Sequence, residues 1–535
     1  MPSATRTSAN MTKPIPLRAK LSRRFYGPIL LEVALKKIRP QQDFSATQHE
    51  PNTVRDNVDS AEQTFKCFVN RLAQVCDNKR GDNGSTVSGI AVLDGPEGVH
   101  YIIGSNNRKL SKLPDVKLFV EQLLEIVANS TGHPASNGSQ VHREALWHVL
   151  KFDGNRVRFY LTNTIAYLEE CIRDYDRRHG KSSLLAASEA IRFRSQLSEL
   201  TNLVKFGDDK QLEDPEYFTA CEKLFLFLHE AQRRNFGDSI SEQAREGEMD
   251  NSKLWSELRH FVGRLHSYYL AVETIIRASR LWDRLFHDIK VTVIPSASMI
   301  PHPLNKKRPN ASEIVGRMSS PAEIERHRSM AEQLQDLDLD GTILKECNSA
   351  SQTHMVHAEV LVLDHVLSHL RDNVDVGFWH GWRYVGSSKP TCRLCNYYFE
   401  EHPEKVQVRE SHSNLYPHWR APDVYDEKAM DATERLLNAM NKKIKADAVR
   451  SLETQVLQGR KHDSNSFSAQ PWRRDQKTDP SDLTSRMGSL SIASVSIPNT
   501  IEEEDKRSTF GEPDDQEEEE GVIVFRGRKP LQSRR

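Results

Sequence analysis

The chain's only close cysteine pair, Cys392-Arg393-Leu394-Cys395, lies between His354 and His418, a stretch that holds eight of its 21 histidines. Two cysteines at i and i+3 in the first turn of a helix point both sulfurs to one side. The unpaired backbone N–H groups and positive dipole end there favour thiolates. Upstream stands His357-Ala358-Glu359. An H-x-E alone says nothing, because the pattern recurs at His142-Arg143-Glu144 and His402-Pro403-Glu404. Placed before the cysteine pair it gains meaning: His357 can supply a third ligand, and one nitrogen with two sulfurs leaves the fourth tetrahedral position of Zn²⁺ open to water, as catalytic zinc requires. Glu359, two residues from that histidine, then sits beside the water and off the metal.

These residues need two helix starts around one strand. His357 opens a segment with Val360, Leu363, Leu367 and Leu370 at helical spacing. Residues 382–386 read as a short strand, and Pro390-Thr391-Cys392 opens a second helical segment. Far upstream, residues 60–77 carry Phe65, Phe68, Val69, Leu72, Ala73 and Cys76 on one helical face. Alternating segments 86–93 and 99–103 then flank Asp94-Gly95-Pro96-Glu97-Gly98, a hairpin turn by its Gly and Pro content. From 113 to 289 the pattern is helical, with breaks near 130–139, 180–182, 208–215 and 237–251. Its strongest stripe runs Leu254, Leu258, Phe261, Leu265, Tyr268, Val272, Ile275, Trp282, Phe286, Ile289, which predicts one long packed helix. Residues 291–294 read as a strand, and Pro295, Pro301, Pro303 and Pro309 exclude regular structure up to about residue 312.

The 535 residues hold 74 Lys+Arg against 75 Asp+Glu, a net charge of -1 that removes the chain-wide basic footprint of a nucleic-acid coat. With 37% apolar residues and a mean hydropathy of -0.63, only part of the chain can form a compact core. No stretch approaches the apolar length of a membrane span. Seven cysteines, an odd and sparse set, suit a reducing cytoplasmic or nuclear compartment better than a disulfide framework. The first 26 residues are basic without an acid; Pro14 and Pro16 interrupt the helix a mitochondrial presequence needs, which leaves a disordered basic arm. Beyond residue 458 periodicity is lost. There, residues 501–520 hold eleven acids and two bases, and 521–535 hold five bases and no acid.

The order H-x-E, then P-x-C-x-x-C, resembles the zinc deaminase signature, and residues 354–419 look like the cytidine deaminase-like superfamily. Tyr384-Val385-Gly386-Ser387-Ser388-Lys389-Pro390-Thr391-Cys392, continuing to Ser411-His412-Ser413-Asn414-Leu415-Tyr416-Pro417, is similar to fungal members of the toxin-like nucleic acid/nucleotide deaminases. One departure stands out: Thr391 separates Pro390 from Cys392, where the general family has Pro directly before Cys, and this slackens the turn. The resemblance implies an α/β three-layer core of helix, hairpin, motif helix, strand, motif helix and strand. No hairpin directly precedes His357, so the hairpin at 86–103 is assigned to that core, which is then split by a large all-α insertion. The resulting organisation is a basic arm at 1–57, the first part of the core at 58–108, the helical insertion at 109–290, a linker at 291–340, the zinc motif region at 341–457 and a disordered tail at 458–535. A separate small N-terminal α/β unit is the alternative.

By the same resemblance, His357, Cys392 and Cys395 hold Zn²⁺ and Glu359 is the catalytic acid and base in hydrolysis of a cyclic amidine. Asn106 or Asn107 leaves the hairpin toward the substrate. His412 and His418 are further candidates for lining the pocket, and Tyr416 and Trp419 for stacking on a base, with surface or core packing as the other reading of all four. Residues 354–423 carry seven Lys+Arg and nine Asp+Glu, which favours a small nucleobase, nucleoside or nucleotide over a long polyanion. Two other functions fit the residues: a non-catalytic deaminase-fold interaction or scaffold protein with a structural zinc site, and a thiol-disulfide oxidoreductase, which lacks its βαβ context. In the tail, Val522, Ile523 and Val524 follow an acidic block and resemble motifs that bind the modifier SUMO by strand addition.

Overall fold

The computed structural model describes residues 13–38, 59–79, 84–129, 138–179, 187–208, 214–246, 249–348 and 353–454, all within the first of two units, Met1–Gln476. The tail and its Val522–Val524 run lie outside the described residues.

The sheet is built around the hairpin. Strands β1 (Ser88–Gly95) and β2 (Gly98–Ser105) pair antiparallel in continuous register from Ser88↔Ser105 to Gly95↔Gly98. On the outer edge of β2 lies β3 (Ile289–Val293), parallel. A separate two-stranded ribbon joins β4 (Ile300–Pro301) to β5 (Thr353–His354). On the other side of β1, β6 (Gly377–Phe378) covers one end, and β7 (Tyr384–Ser387) pairs through Gly89↔Ser387 and Ile90↔Gly386. Strand β8 (Gln407–Val408) closes the row parallel to β7. The hairpin and the strand before the cysteine pair therefore share one sheet although the chain between them is long.

Alternation along β1 divides the interior into two cores. Ile90 and Val92 face a core with Phe65, Phe68 and Leu72 of helix Ala61–Cys76, which Ser60 caps by accepting from the Gln63 N–H. Ala91 and Leu93 face the other, with Val360 and Leu363 of helix Ala358–Asp372 and Leu394 of helix Arg393–Glu401. The first core continues into the helices Leu113–Ala128, Gly138–His179, Ala187–Val204, Asp214–Arg233, Phe236–Glu246 and Met249–Leu281. The molecule is a mixed helical and sheet structure, and among the described residues no helix is long and apolar enough to cross a membrane.

Four expectations change. Residues 19–38, assigned to a basic arm, form a helix whose Phe25, Tyr26, Leu31 and Leu35 are fully buried. Its burial comes from helix Glu427–Thr454 and from Ile314, all distant in sequence. The long stripe is not one helix. It ends at Leu281, passes a 3-10 turn at Asp283–Leu285 and re-enters as β3. Trp282 and Phe286 still enter the same core, so the apolar spacing outlasts the helix. Residues 291–340 are not a plain linker, because helices Ala311–Met318 and Ile324–Gln333 pack within them. Finally, helix Phe236–Glu246 runs into the break expected at 237–251 and buries Phe236 and Ile240.

Candidate metal centre and its cavity

The two helix starts bring the donors together. His357 is the N-cap of helix Ala358–Asp372, and Cys392 is the N-cap of helix Arg393–Glu401, its Sγ accepting the Cys395 N–H at 3.4 Å. His357 Nδ1 lies 3.4 Å from Cys392 Sγ and 3.3 Å from Cys395 Sγ. The three ligand atoms are mutually within 4.8 Å. A tetrahedral ion with bonds of about 2.0–2.1 Å to nitrogen and about 2.3 Å to sulfur sets those atoms about 3.5 Å apart. The donor set therefore fits one four-coordinate cation with a single position to spare.

Close backbone approach fixes this arrangement. A Cβ on Gly89 would stand 2.9 Å from the Ala358 carbonyl oxygen, and one on Gly386 would stand 2.6 Å from Val69 Cγ1. Asn106 Oδ1 accepts the Ala358 N–H at 2.7 Å, so the end of the hairpin caps the His357 helix. Arg393, between the two cysteines, is buried against Glu32 of helix Ala19–Ile38 at 2.6 Å and Asp447 of helix Glu427–Thr454 at 3.5 Å. Thr391 does not slacken its turn. It is fully buried, its N–H donates to the Glu410 carbonyl, its carbonyl accepts from His412, and its hydroxyl donates to the Arg409 carbonyl.

Glu359 is buried on the same helix and its Oε1 accepts from Ser387 Oγ at 3.0 Å. Burial pushes its carboxyl above the usual range, the neighbouring Cys392 charge adds to this, and His357 with Ser387 only partly oppose it. Burial would lower the His357 pKa, but Cys392 and Glu359 outweigh it and the imidazole is raised. Burial would likewise raise Cys392; the hydrogen bonds from Cys395 and the charge of His357 overcome it, and Cys392 is held well below an ordinary thiol. Cys395 is raised, by burial first and then by Cys392. Among the protein groups alone, negative charge therefore collects on Cys392, in contact with both other donors.

The centre opens on a cavity of about 210 Å³. Of the residues singled out in the sequence, Asn106, His357, Glu359, Cys392, His412, Tyr416 and His418 line it. Asn106 does so with its amide engaged, since Nδ2 donates to the Gly84 carbonyl at 3.1 Å while Oδ1 holds Ala358. His412 and Tyr416 meet edge to face, with centroids 5.4 Å apart. Asn107 is not in the lining. Trp419 is a correction: it is fully buried between Phe25 and Tyr398 and is absent from the cavity wall. Met355, Lys389 and Pro390 also line the cavity, as do Gly84 and Val87 just before β1. Lys389 and Pro390 lie inside the motif stretch, and only their closeness to Cys392 could have flagged them. The turn at Gly84 carries no comparable signal.

Residues 356–423 match a family model for OTT_1508-like deaminases, of the cytidine deaminase-like superfamily. This similarity covers the His357 helix, β7 and the cysteine helix, which are the elements that carry the donors. No curated protein and no solved structure matches the chain.

Proposed function

We propose that the protein is a zinc-dependent hydrolytic deaminase of a cytosine or adenine ring in a small nucleobase, nucleoside or nucleotide. Its core would be a cytidine deaminase-like fold split by the helical insertion at 109–290. The observation that carries this is the convergence of His357, Cys392 and Cys395 on the cavity that also holds Glu359. Bound there, Zn²⁺ supplies Lewis acidity that brings the pKa of a water near neutrality. Glu359 would take one proton from the attacking water and pass it to the ring nitrogen as the oxygen adds to C4 of cytosine or C6 of adenine. The same carboxyl would then take the remaining hydroxyl proton of the adduct and pass it to the amino group, which leaves as ammonia. A carboxyl raised by burial is suited to both directions of transfer, and Ser387 orients it. Asn106 acts through the His357 helix start and so positions a ligand.

The alternative is a scaffold protein whose metal only stabilises the fold. Ammonia release from cytosine and adenine compounds separates the two. The deaminase reading expects release by wild type and its loss in Glu359→Ala with metal retained. A protein that holds metal and releases no ammonia from any of these compounds is the scaffold.

A further inference from the structure

The helical insertion sends one arginine to the end of helix Ala61–Cys76. Arg156, on helix Gly138–His179, is buried; its Nη1 pairs with Asp77 Oδ1 at 2.6 Å and also donates to the Asp77 carbonyl. Tyr160 Oη accepts its Nε at 2.8 Å, so the guanidinium is oriented from its own helix. Asp77 is the C-cap of helix Ala61–Cys76. A helix C-terminus leaves carbonyls unpaired and carries the negative end of the dipole. Arg156 answers both, and Arg108 Nη2 takes the preceding Cys76 carbonyl at 2.6 Å. Burial would raise the Asp77 carboxyl, but Arg156 leads the charges and hydrogen bonds that overcome it, and Asp77 is held below the ordinary carboxylate range. It is a fixed, buried anion.

From Asp77 an unbroken run of contacts reaches Glu359 in the cavity. Asp77 Oδ1 accepts Thr86 Oγ1 at 2.7 Å, from the segment just before β1, and Oδ2 accepts Ser388 Oγ at 3.2 Å. Ser388 also pairs with Ser88 in both directions, its N–H donating to the Ser88 carbonyl at 2.9 Å and its Oγ accepting the Ser88 N–H at 3.2 Å. Its neighbour Ser387 donates to Glu359 Oε1 at 3.0 Å. About two turns back on the same helix, Asn70 Oδ1 accepts the Ser387 N–H at 3.0 Å and Tyr384 Oη at 2.9 Å. One helix therefore grips Ser387 and Ser388 at two points, and the insertion anchors the end of that helix. We infer that Arg156 is a positioning residue of the site: through Asp77 and Ser388 it fixes Ser387, and with it the carboxyl of Glu359. The insertion is then a working part of the centre and not a separable scaffold. The expected effect on rate rests on the deaminase reading, since a proton-transferring group displaced by about 1 Å can cost roughly a hundredfold in rate.

Steady-state ammonia release from cytidine, adenosine, CMP and AMP, together with amide hydrogen exchange, tests this on the metal-loaded full chain. The variants are Arg156→Met, Arg156→Lys, Ser388→Ala and the double change Arg156→Met with Ser388→Ala. Arg156→Met and Ser388→Ala should each lower kcat about ten- to a hundredfold at unchanged KM and metal content, and Arg156→Lys should recover part of the loss. The double variant should be no slower than the slower single one, because both changes cut the same connection. A merely structural arginine would lower thermal stability and leave the kcat of the folded protein intact. Unchanged kcat in Ser388→Ala, losses that multiply in the double variant, or a loss in Arg156→Met that comes only with loss of metal would each overturn the inference. If Arg156→Met folds poorly, since it leaves Asp77 buried without its partner, Asp77→Asn takes its place in the same cycle with Ser388→Ala. The two readings fail separately. Faster exchange at the Ser387 and Ser388 amides in both single variants, with no ammonia release even by wild type, would keep the connection and remove the deaminase. Full ammonia release by both variants with exchange unchanged would keep the deaminase and remove the connection.

Discussion

His357, Cys392 and Cys395 bring three donor atoms within 4.8 Å of one another, and so do Glu323, His327 and Glu453. The second group is a structural tie. His327 is fully buried with both ring nitrogens occupied, Nδ1 facing Ser319 Oγ at 2.7 Å and Nε2 facing Glu453 Oε1 at 3.0 Å. Arg326 meets both Glu453 and Glu323, so a cation already stands among the carboxylates. In the first group the sulfurs have, among the described residues, no arginine or lysine hydrogen-bonded to them, and Cys392 lines a cavity. Donor type and proximity are therefore shared by both clusters. What distinguishes a binding centre is unspent charge together with room for a further ligand.

The largest test of this contrast is metal content. Wild type should hold about one zinc, and Cys392→Ser, Cys395→Ser and His357→Ala should each lose it, because three protein ligands are the minimum for such a site. His327→Ala should leave the content unchanged by elemental analysis. Metal that persists through the cysteine changes, or departs with His327, would erase the distinction. Next in size, Glu359→Gln should keep the metal and lower the rate of ammonia release about 10²–10⁴-fold; an unchanged rate would remove its proton-transfer role.

Smaller effects sharpen the other side. His327→Ala leaves Ser319 and Glu453 without their shared partner and should cost about 1–3 kcal/mol, read as a lowered urea midpoint with metal content constant. The smallest effect is in pH. The His327 hydrogen bond, with Arg326 adding to it, holds the Glu453 carboxyl below its usual value. Its folded pKa is thus below the unfolded one, so its stabilisation is complete above the ordinary carboxylate pKa and is lost as pH falls through the folded value. The stability gap between wild type and Glu453→Gln should accordingly be present at pH 6 and shrink below about pH 4. A gap that widens on acidification would show that the carboxylate is not the stabilising form.

Legibility in the sequence followed range. The capping positions of His357 and Cys392 were readable because a helix start and an i, i+3 pair are set within a few residues. The pairing of β1 with β7 is accessible only because the order of elements that the resemblance implies calls for a hairpin, and none directly precedes His357. The helix at Ala19–Ile38 escapes the sequence reading because its basic residues and Pro28 mask a face whose partners lie about 290 to 420 residues on. Continuous burial of Trp282 and Phe286 likewise imitated a helix past Leu281, since apolar spacing records which side is buried and not which backbone carries it.

By itself, then, the sequence determined the donor chemistry, one imidazole and two thiols at helix starts with a carboxyl two residues from the first. Local spacing and the helix dipole suffice for that. Tertiary structure decided which neighbours complete the centre: Asn106 capping Ala358 from 252 residues away, Glu32 and Asp447 gripping Arg393 from helices on either side of it in sequence, Lys389 in the cavity lining and Trp419 in the core. Burial and charge balance are properties of what packs around a residue, and here those neighbours come from segments that no local pattern connects.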